Sequence, residues 1–92
     1  FELGISLFAD ADRGQKVGTR AVELMTERLF EDPETARVQA STWVENAAMR
    51  RVLERLGFAL EGVLRSFMPR PDGGRDDYAL YAATREDWEA RA

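Results

Sequence analysis

Hydrophobic residues occupy every second position at the start of the chain. A period of two is typical of a strand with one buried face, and it predicts a strand up to about Phe8. The residues that would share this face are Phe1, Leu3, Ile5 and Leu7. The polar segment 9–12 forms strands poorly, so we expect the strand to end there.

From Gly18 to Phe30, the apolar residues no longer alternate but follow helical spacing. Apolar residues at intervals of three and four predict a helix with a single buried face. We expect this face to consist of Val17, Ala21, Leu24, Met25 and Leu29. Pro33 follows the helix and stops it, because proline lacks a backbone N–H and disfavours helical backbone in the preceding residue.

A second strand and a second helix follow. The strand is predicted over 36–44, where β-branched and aromatic residues outweigh two alanines. Asn46 is the predicted N-cap of a helix that runs to about Leu56, and Gly57 ends it in the left-handed conformation. Its inward residues would be Met49, Val52, Leu53 and Leu56, and its charged residues, including Arg50, would face outward.

The last third of the chain predicts a hairpin and a short helix. Strands over 58–68 and 77–83 flank the pair Asp72-Gly73, a strong turn signal, and Thr84 can cap a final helix. The order strand, helix, strand, helix, hairpin and short C-terminal helix predicts an α/β fold with a mixed sheet of about four strands. We expect one domain over 1–92. A right-handed crossover would place the segment after the first strand at the carboxyl end of that strand.

Composition narrows the chemistry that is available. The 92 residues carry a formal net charge of −4 and contain no cysteine and no histidine, so disulfides, thiolate catalysis and histidine ligands are excluded, and no metal site is expected. An acidic chain does not favour nucleic acid as a partner. The absence of an apolar run of about 20 residues predicts no membrane span and a cytoplasmic location. Because the chain begins within a strand, we expect it to be the back part of a larger fold.

The segment Arg13-Gly14-Gln15-Lys16-Val17-Gly18-Thr19 lies between the first strand and the first helix. A glycine turn that opens a helix directs unpaired backbone N–H groups and the positive end of the helix dipole at one point. Such a turn can hold a pyrophosphate. An ordinary connection between a strand and a helix is the alternative explanation of these glycines.

Later motifs make the pattern more specific. In order along the chain they are the glycine segment, Asn46-x-x-Met49, Leu53-Glu54-Arg55-Leu56-Gly57-Phe58 and Glu61-Gly62-x-Leu64-Arg65. This order resembles the C-terminal half of GNAT-superfamily N-acetyltransferases, and within them the branch of ribosomal-protein N-terminal alanine acetyltransferases (RimJ/RimL-like). The resemblance implies a partial GNAT fold and an enzyme that transfers an acetyl group from acetyl-CoA directly to a primary amine, of a protein N-terminus or of a small molecule.

The resemblance also implies which residues bind the coenzyme. Backbone amides of the glycine segment would hold the pyrophosphate, the first strand would pair with the pantetheine arm, and the start of the second helix would contact the coenzyme nearby. The residues assigned in this way are Ser6, Leu7, Phe8, Arg13, Gly14, Gln15, Lys16, Val17, Gly18, Thr19, Asn46 and Met49. Lys16 departs from the family, which usually has glycine there. Its charge would add to phosphate binding, whereas its Cβ would disturb a turn that needs positive φ.

Catalytic groups are harder to assign. Leu53 and Met49 occupy the positions at which relatives carry a tyrosine or a serine that protonates the leaving thiolate, and neither can donate a proton. Glu2 is the candidate base because it is the only carboxylate inside the first strand; a solvated strand face is the alternative. Glu61, Asp76 and Asp77 are further candidates.

A second function therefore stays open. The missing donor favours a noncatalytic, truncated GNAT module that binds CoA or associates with itself. An exposed edge of the first strand would pair with the same edge of another copy and form a homodimer.

Overall fold

The computed structural model describes residues 19–91 and, by strand pairing alone, Ser6 and Leu7. The elements follow the predicted order. They are β1 (Ser6–Leu7), α1 (Thr19–Phe30), β2 (Arg37–Trp43), α2 (Ala47–Arg55), β3 (Ala59–Pro69), β4 (Arg75–Thr84) and α3 (Arg85–Ala90). The predicted α/β class and the terminal hairpin with its short final helix are confirmed.

The four strands form one mixed sheet in the order β1-β2-β4-β3. β1 pairs with β2 in parallel, with Ser6 opposite Gln39 and Leu7 opposite Ala40. β4 pairs antiparallel with β2 on one side and with β3 on the other. The last strand therefore inserts between two earlier ones, and among the described residues β1 and β3 are the outer strands of this sheet.

The helices pack against one face of the sheet and bury a single apolar core. Every second residue of β2 and of β4 faces this core, as a pleated strand requires. Its members are Val22, Phe30, Val38, Ala40, Met49, Leu53, Leu56, Phe58, Ala79, Tyr81, Ala83 and Trp88.

The predicted buried face of α1 is only partly right: Leu29 packs against the core, but Ala21, Leu24 and Met25 are exposed. Leu24 and Met25 are 46% and 43% exposed, whereas Val22, Thr26 and Phe30 are buried. The helix is rotated so that Val22, Thr26 and Phe30 face inward in place of Leu24 and Met25. Burial of this threonine is tolerated because its hydroxyl donates a hydrogen bond to the carbonyl oxygen of Val22 at 2.8 Å.

Contacts with the C-terminal segment explain this rotation. Phe30 stacks on Trp88 with ring centroids 6.1 Å apart. The guanidinium of Arg91 lies 3.7 Å from the centre of the Trp88 ring and donates to the carboxylates of Glu23 at 3.1 Å and Glu27 at 3.4 Å. These partners are more than 50 residues from α1 in sequence, so the local apolar spacing of α1 does not reveal its orientation.

The N-cap, the buried residues and the glycine end of the second helix agree with the prediction. Asn46 is its N-cap, Met49 and Leu53 are buried, and Val52 packs against the core from a half-buried position. Gly57 has a φ of +90°, the left-handed conformation in which glycine ends a helix without strain.

The hairpin and the last helix are defined by local hydrogen bonds. At the turn, the Arg70 N–H donates to the carbonyl of Gly74 at 2.8 Å, and Gly73 has a φ of +91°. Thr84 and Asp87 form a capping box at the start of α3, as the Thr84 prediction requires. None of the helices in residues 19–91 is long and apolar enough to cross a membrane.

Candidate functional site

The N-termini of α1 and α2 lie towards the same end of the sheet. α1 ends beside the start of β2, where the Arg85 guanidinium donates to the carbonyl oxygens of Phe30 at 3.0 Å and Thr35 at 2.9 Å. From there its 12 residues, about 18 Å of helix, extend back towards the carboxyl end of β2. α2 begins at that end, four residues after Trp43. Both helix N-termini therefore face the carboxyl end of the parallel β1–β2 pair.

The charges at both helix starts suit an anion. Neither α1 nor α2 has an acidic residue in its first turn. Thr19, the first residue of α1, is half-buried. Because no carboxylate in these first turns opposes the positive ends of the two dipoles, a negatively charged ligand is favoured there.

The carboxyl half of β2 borders this region. The described parallel pairing ends at Ala40, and the next residue, Ser41, is buried. Its hydroxyl has no hydrogen-bond partner among the described residues. A buried hydroxyl of this kind is expected to find a partner. A strand side chain points out of the plane of the sheet, so this hydroxyl does not by itself mark a ligand position at the strand edge.

Asn46 occupies the turn between β2 and α2. Its Oδ1 accepts a hydrogen bond from the Met49 N–H at 3.1 Å, and its own N–H donates to the carbonyl of Trp43 at 2.9 Å. The N-cap role is confirmed. Coenzyme contacts by Asn46 and by the buried Met49 stay predictions.

Arg50 does not face outward as predicted. It is half-buried, and its guanidinium donates to the carbonyl oxygen of Val44 at 2.7 Å and to the hydroxyl of Tyr81 at 2.9 Å. The Tyr81 hydroxyl in turn donates to the Glu54 carboxylate at 2.8 Å. Sequence reasoning missed this network because Tyr81 lies 31 residues from Arg50 and no local motif joins them.

Burial of Tyr81 raises the pKa of its hydroxyl above the usual value. The Glu54 carboxylate acts in the same direction, and the Arg50 guanidinium acts against it. The hydroxyl is therefore protonated at neutral pH and can donate to Glu54 while it accepts from Arg50.

The two positions at which the resemblance predicts a proton donor lie in the core. Leu53 is 0% exposed and Met49 is 4% exposed. Neither side chain has an acidic proton, so neither can protonate a leaving thiolate.

The carboxylates considered as bases are engaged elsewhere. Glu61 accepts from the guanidinium of Arg37 at 2.8 Å, and Asp76 accepts from that of Arg70 at 2.9 Å. Asp77 accepts from a backbone N–H of β3 at 2.8 Å. In the described part of the chain, no group of three or more acidic, histidine or cysteine residues is placed to hold a metal ion.

Part of the predicted site lies outside the described residues. The structure gives only strand pairing for Ser6 and Leu7. The other predicted site residues in this part of the chain are Glu2, Phe8, Arg13, Gly14, Gln15, Lys16, Val17 and Gly18. Their roles stay predictions.

Comparisons with known proteins agree with the fold. The model of the acetyltransferase (GNAT) domain family matches residues 1–59. "Probable N-acetyltransferase YjcK" of Bacillus subtilis is 31% identical over 86 residues, which cover 92% of this chain and 47% of that protein. The "Kanamycin resistance protein" of Rhizobium radiobacter is 32% identical over 68 residues, 74% of this chain and 59% of that protein. The chain thus spans about half the length of the curated relatives it matches.

The fold also matches that of a solved acetyltransferase structure. Mycobacterium smegmatis RimJ in complex with CoA-disulfide superimposes with a TM-score of 0.68 at 29% identity, over 85% of this chain and 37% of that chain. Since the family model covers well over half of the sequence and the fold matches solved acetyltransferases, the chain belongs to the GNAT acetyltransferase family, whose members use acetyl-CoA.

Proposed function

We propose that residues 1–92 are the coenzyme-binding part of a GNAT domain that transfers an acetyl group from acetyl-CoA directly to a primary amine. One observation carries the proposal: two helix N-termini without carboxylates in their first turns face the carboxyl end of a parallel strand pair. In an open α/β sheet, this end is where ligands bind.

We assign a different segment of the chain to each part of the coenzyme. Backbone amides of 13–19 hold the pyrophosphate, where the helix dipole of α1 favours its charge. The backbone of 6–8 pairs with the pantetheine arm, and Asn46 and Met49 lie beside it.

The proposed acceptor is the amine of a protein N-terminus or of a small molecule. The RimJ/RimL-like motifs support a protein N-terminus. The kanamycin-resistance relative supports a small molecule, since kanamycin carries amines. Both acceptors present an ammonium that must lose a proton before it can attack a carbonyl carbon.

Proton transfer depends on groups other than the α2 side chains. Because Met49 and Leu53 are apolar and buried, we assign protonation of the leaving thiolate to water or to the proton released by the amine. Glu2 is the candidate base.

Calorimetric titration with acetyl-CoA tests the binding step. We expect a single site with micromolar affinity. Thr19→Asp should weaken binding about tenfold or more, because a carboxylate at the first position of α1 repels the pyrophosphate while it interacts favourably with the helix dipole. Thr19→Asn, which has the same shape without the charge, should bind nearly as the unsubstituted chain does. Equal affinity of the two variants would contradict the proposed pyrophosphate position.

Acetyl transfer is tested separately. The chain is incubated with acetyl-CoA and either a peptide with N-terminal alanine or a small polyamine, and acetylated product is detected by mass spectrometry. Product from either acceptor supports the enzyme. Binding without product from either would support the noncatalytic alternative, and sedimentation would then test self-association through the edge of β1.

A further inference from the structure

Arg50 connects three elements around the turn that presents Asn46. Its side chain starts from α2, reaches the Val44 carbonyl at the end of β2 at 2.7 Å and reaches the Tyr81 hydroxyl of β4 at 2.9 Å. The guanidinium carbon also lies 5.9 Å from the centre of the Tyr81 ring. A single half-buried cation thus joins the strand that enters the turn to the helix that leaves it.

The peptide groups of Val44 are held on both sides. Its N–H donates to the carbonyl of Asp77 in β4 at 3.1 Å, and its carbonyl accepts from Arg50. Val44 stands two residues before Asn46 in the chain. With both of its hydrogen-bonding groups fixed, rotation of the following peptides is restricted, and the position of Asn46 relative to β2 is restricted with it.

We propose that Arg50 is a positioning residue of the coenzyme site, which acts through the Val44 carbonyl to hold Asn46 in place. The proposal rests on the proposed function, because it assumes that Asn46 contacts the coenzyme. Arg50 itself need not touch the coenzyme.

Tyr81 and Glu54 fix the direction of the guanidinium. The Tyr81 ring is fully buried, so its hydroxyl is held in one place, and this hydroxyl bridges Arg50 and Glu54. A planar guanidinium with several donors can bond to Val44 and Tyr81 at once, whereas a lysine ammonium lacks this fixed fork. The network is therefore specific for arginine at position 50.

The test compares coenzyme affinity in three variants with a control on the same helix. Arg50→Gln removes the bridging cation, Arg50→Lys keeps the charge without the fork, and Tyr81→Phe keeps the buried ring without the hydroxyl. Arg55→Gln removes an exposed arginine and serves as the control. Dissociation constants for acetyl-CoA are measured by calorimetry at a temperature at which thermal unfolding curves show every variant folded.

We expect Arg50→Gln to weaken binding about tenfold, Arg50→Lys to restore it only in part, and Arg55→Gln to leave it unchanged. Tyr81→Phe should have an intermediate effect, and it keeps the proposal testable if Arg50→Gln does not fold. Hydrogen exchange of the Met49 N–H, which Asn46 caps, should be faster in Arg50→Gln than in Arg55→Gln without any ligand.

A double-mutant cycle with Asn46→Ala identifies the route of the effect. If Arg50 acts through Asn46, Arg50→Gln should cause little further loss of affinity in the Asn46→Ala background. Full additivity would overturn the proposal. So would an unchanged dissociation constant in Arg50→Gln and Tyr81→Phe accompanied by a lower unfolding temperature, since that would show a purely structural role. Failure of the unsubstituted chain to bind acetyl-CoA would overturn the proposed function together with this proposal, whereas binding that ignores Arg50 would overturn this proposal alone.

Discussion

The connections before and after β2 are each held by an arginine from another element, but the two arginines use their donors differently. Arg85, at the start of α3, donates to three carbonyl oxygens of the α1–β2 connection, those of Phe30 at 3.0 Å, Asp32 at 2.7 Å and Thr35 at 2.9 Å. Arg50 donates to only one carbonyl of the β2–α2 connection and to a tyrosine hydroxyl that is itself bonded to Glu54.

This difference indicates two roles: Arg85 stabilises the fold, and Arg50 positions the turn that carries Asn46. Arg85 satisfies carbonyls that the end of α1 and its loop leave without helical partners, at the amino end of β2, which is remote from the proposed coenzyme edge. Arg50 lies at the carboxyl end of β2, next to the turn of Asn46. We therefore expect loss of Arg85 to lower stability without affecting ligand binding, and loss of Arg50 to affect binding at a smaller cost in stability.

The largest effect is expected for Arg85→Met. Three carbonyls lose a charged donor, and hydrogen bonds to charged groups contribute about 1.5–3 kcal/mol each, not additively. The free energy of unfolding should fall by about 3 kcal/mol in urea denaturation, while acetyl-CoA affinity at low temperature stays unchanged. Arg85→Lys, which keeps the charge and fewer bonds, should lose less. A weaker affinity in folded Arg85→Met would remove the contrast with Arg50.

The next largest loss of stability is expected in variants that test the orientation of α1. This helix leads into the connection that Arg85 holds. Val22→Ala deletes two methyl groups from a fully buried site and should cost about 2 kcal/mol. Leu24→Ala removes more atoms from an exposed site and should change stability by less than about 0.5 kcal/mol. Urea denaturation of both variants checks this. The reverse order would mean that the face chosen by apolar spacing is the buried one.

The Arg50 network predicts a dependence of stability on pH. Burial raises the pKa of Tyr81 in the folded chain, whereas the unfolded chain releases this proton near pH 10. Stability contributed by the protonated hydroxyl is present below about pH 10 and is lost as pH rises further, by at most about 1.4 kcal/mol per pH unit. Denaturation at pH 9 and above pH 10 measures the loss. Tyr81→Phe should show a smaller loss, and an identical pH dependence would contradict the assignment.

The smallest effect concerns the helix that carries Arg85. Thr84→Ala removes the side-chain acceptor of the Asp87 N–H and should cost about 1 kcal/mol. Thr84→Ser keeps the hydroxyl and should cost only a few tenths, in the same denaturation experiment. If Thr84→Ala were neutral, the capping box would not support the position of Arg85.

Predictions from the sequence succeeded where the interactions are local. Asn46 lies three residues from the N–H that it caps, and Thr84 likewise. Gly57 ends α2 through its own φ. Such features depend on a few neighbouring residues and a fixed helical geometry, so the residue types indicate them directly.

Predictions failed where a residue far away in the sequence determines the orientation of a side chain or of a helix. Arg50 was predicted to lie on an exposed helix face, but it is half-buried because it donates to the hydroxyl of Tyr81 on another strand. The apolar residues of α1 favoured the side of Leu24 and Met25, but stacking of Phe30 on Trp88 sets the other orientation. The proposed roles of Glu2 and of the glycine segment rest on the resemblance and stay predictions.

The sequence by itself determined the order of the elements, the helix caps, and the left-handed glycines that end α2 and form the hairpin turn. Each of these follows from hydrogen bonds and steric limits within about one helical turn. Only the tertiary structure decided that β4 lies between β2 and β3, which face of α1 is buried and which carbonyls the two arginines reach. These depend on strand register and on side chains far apart in sequence, and their free energies are gained only when the chain has brought the elements together.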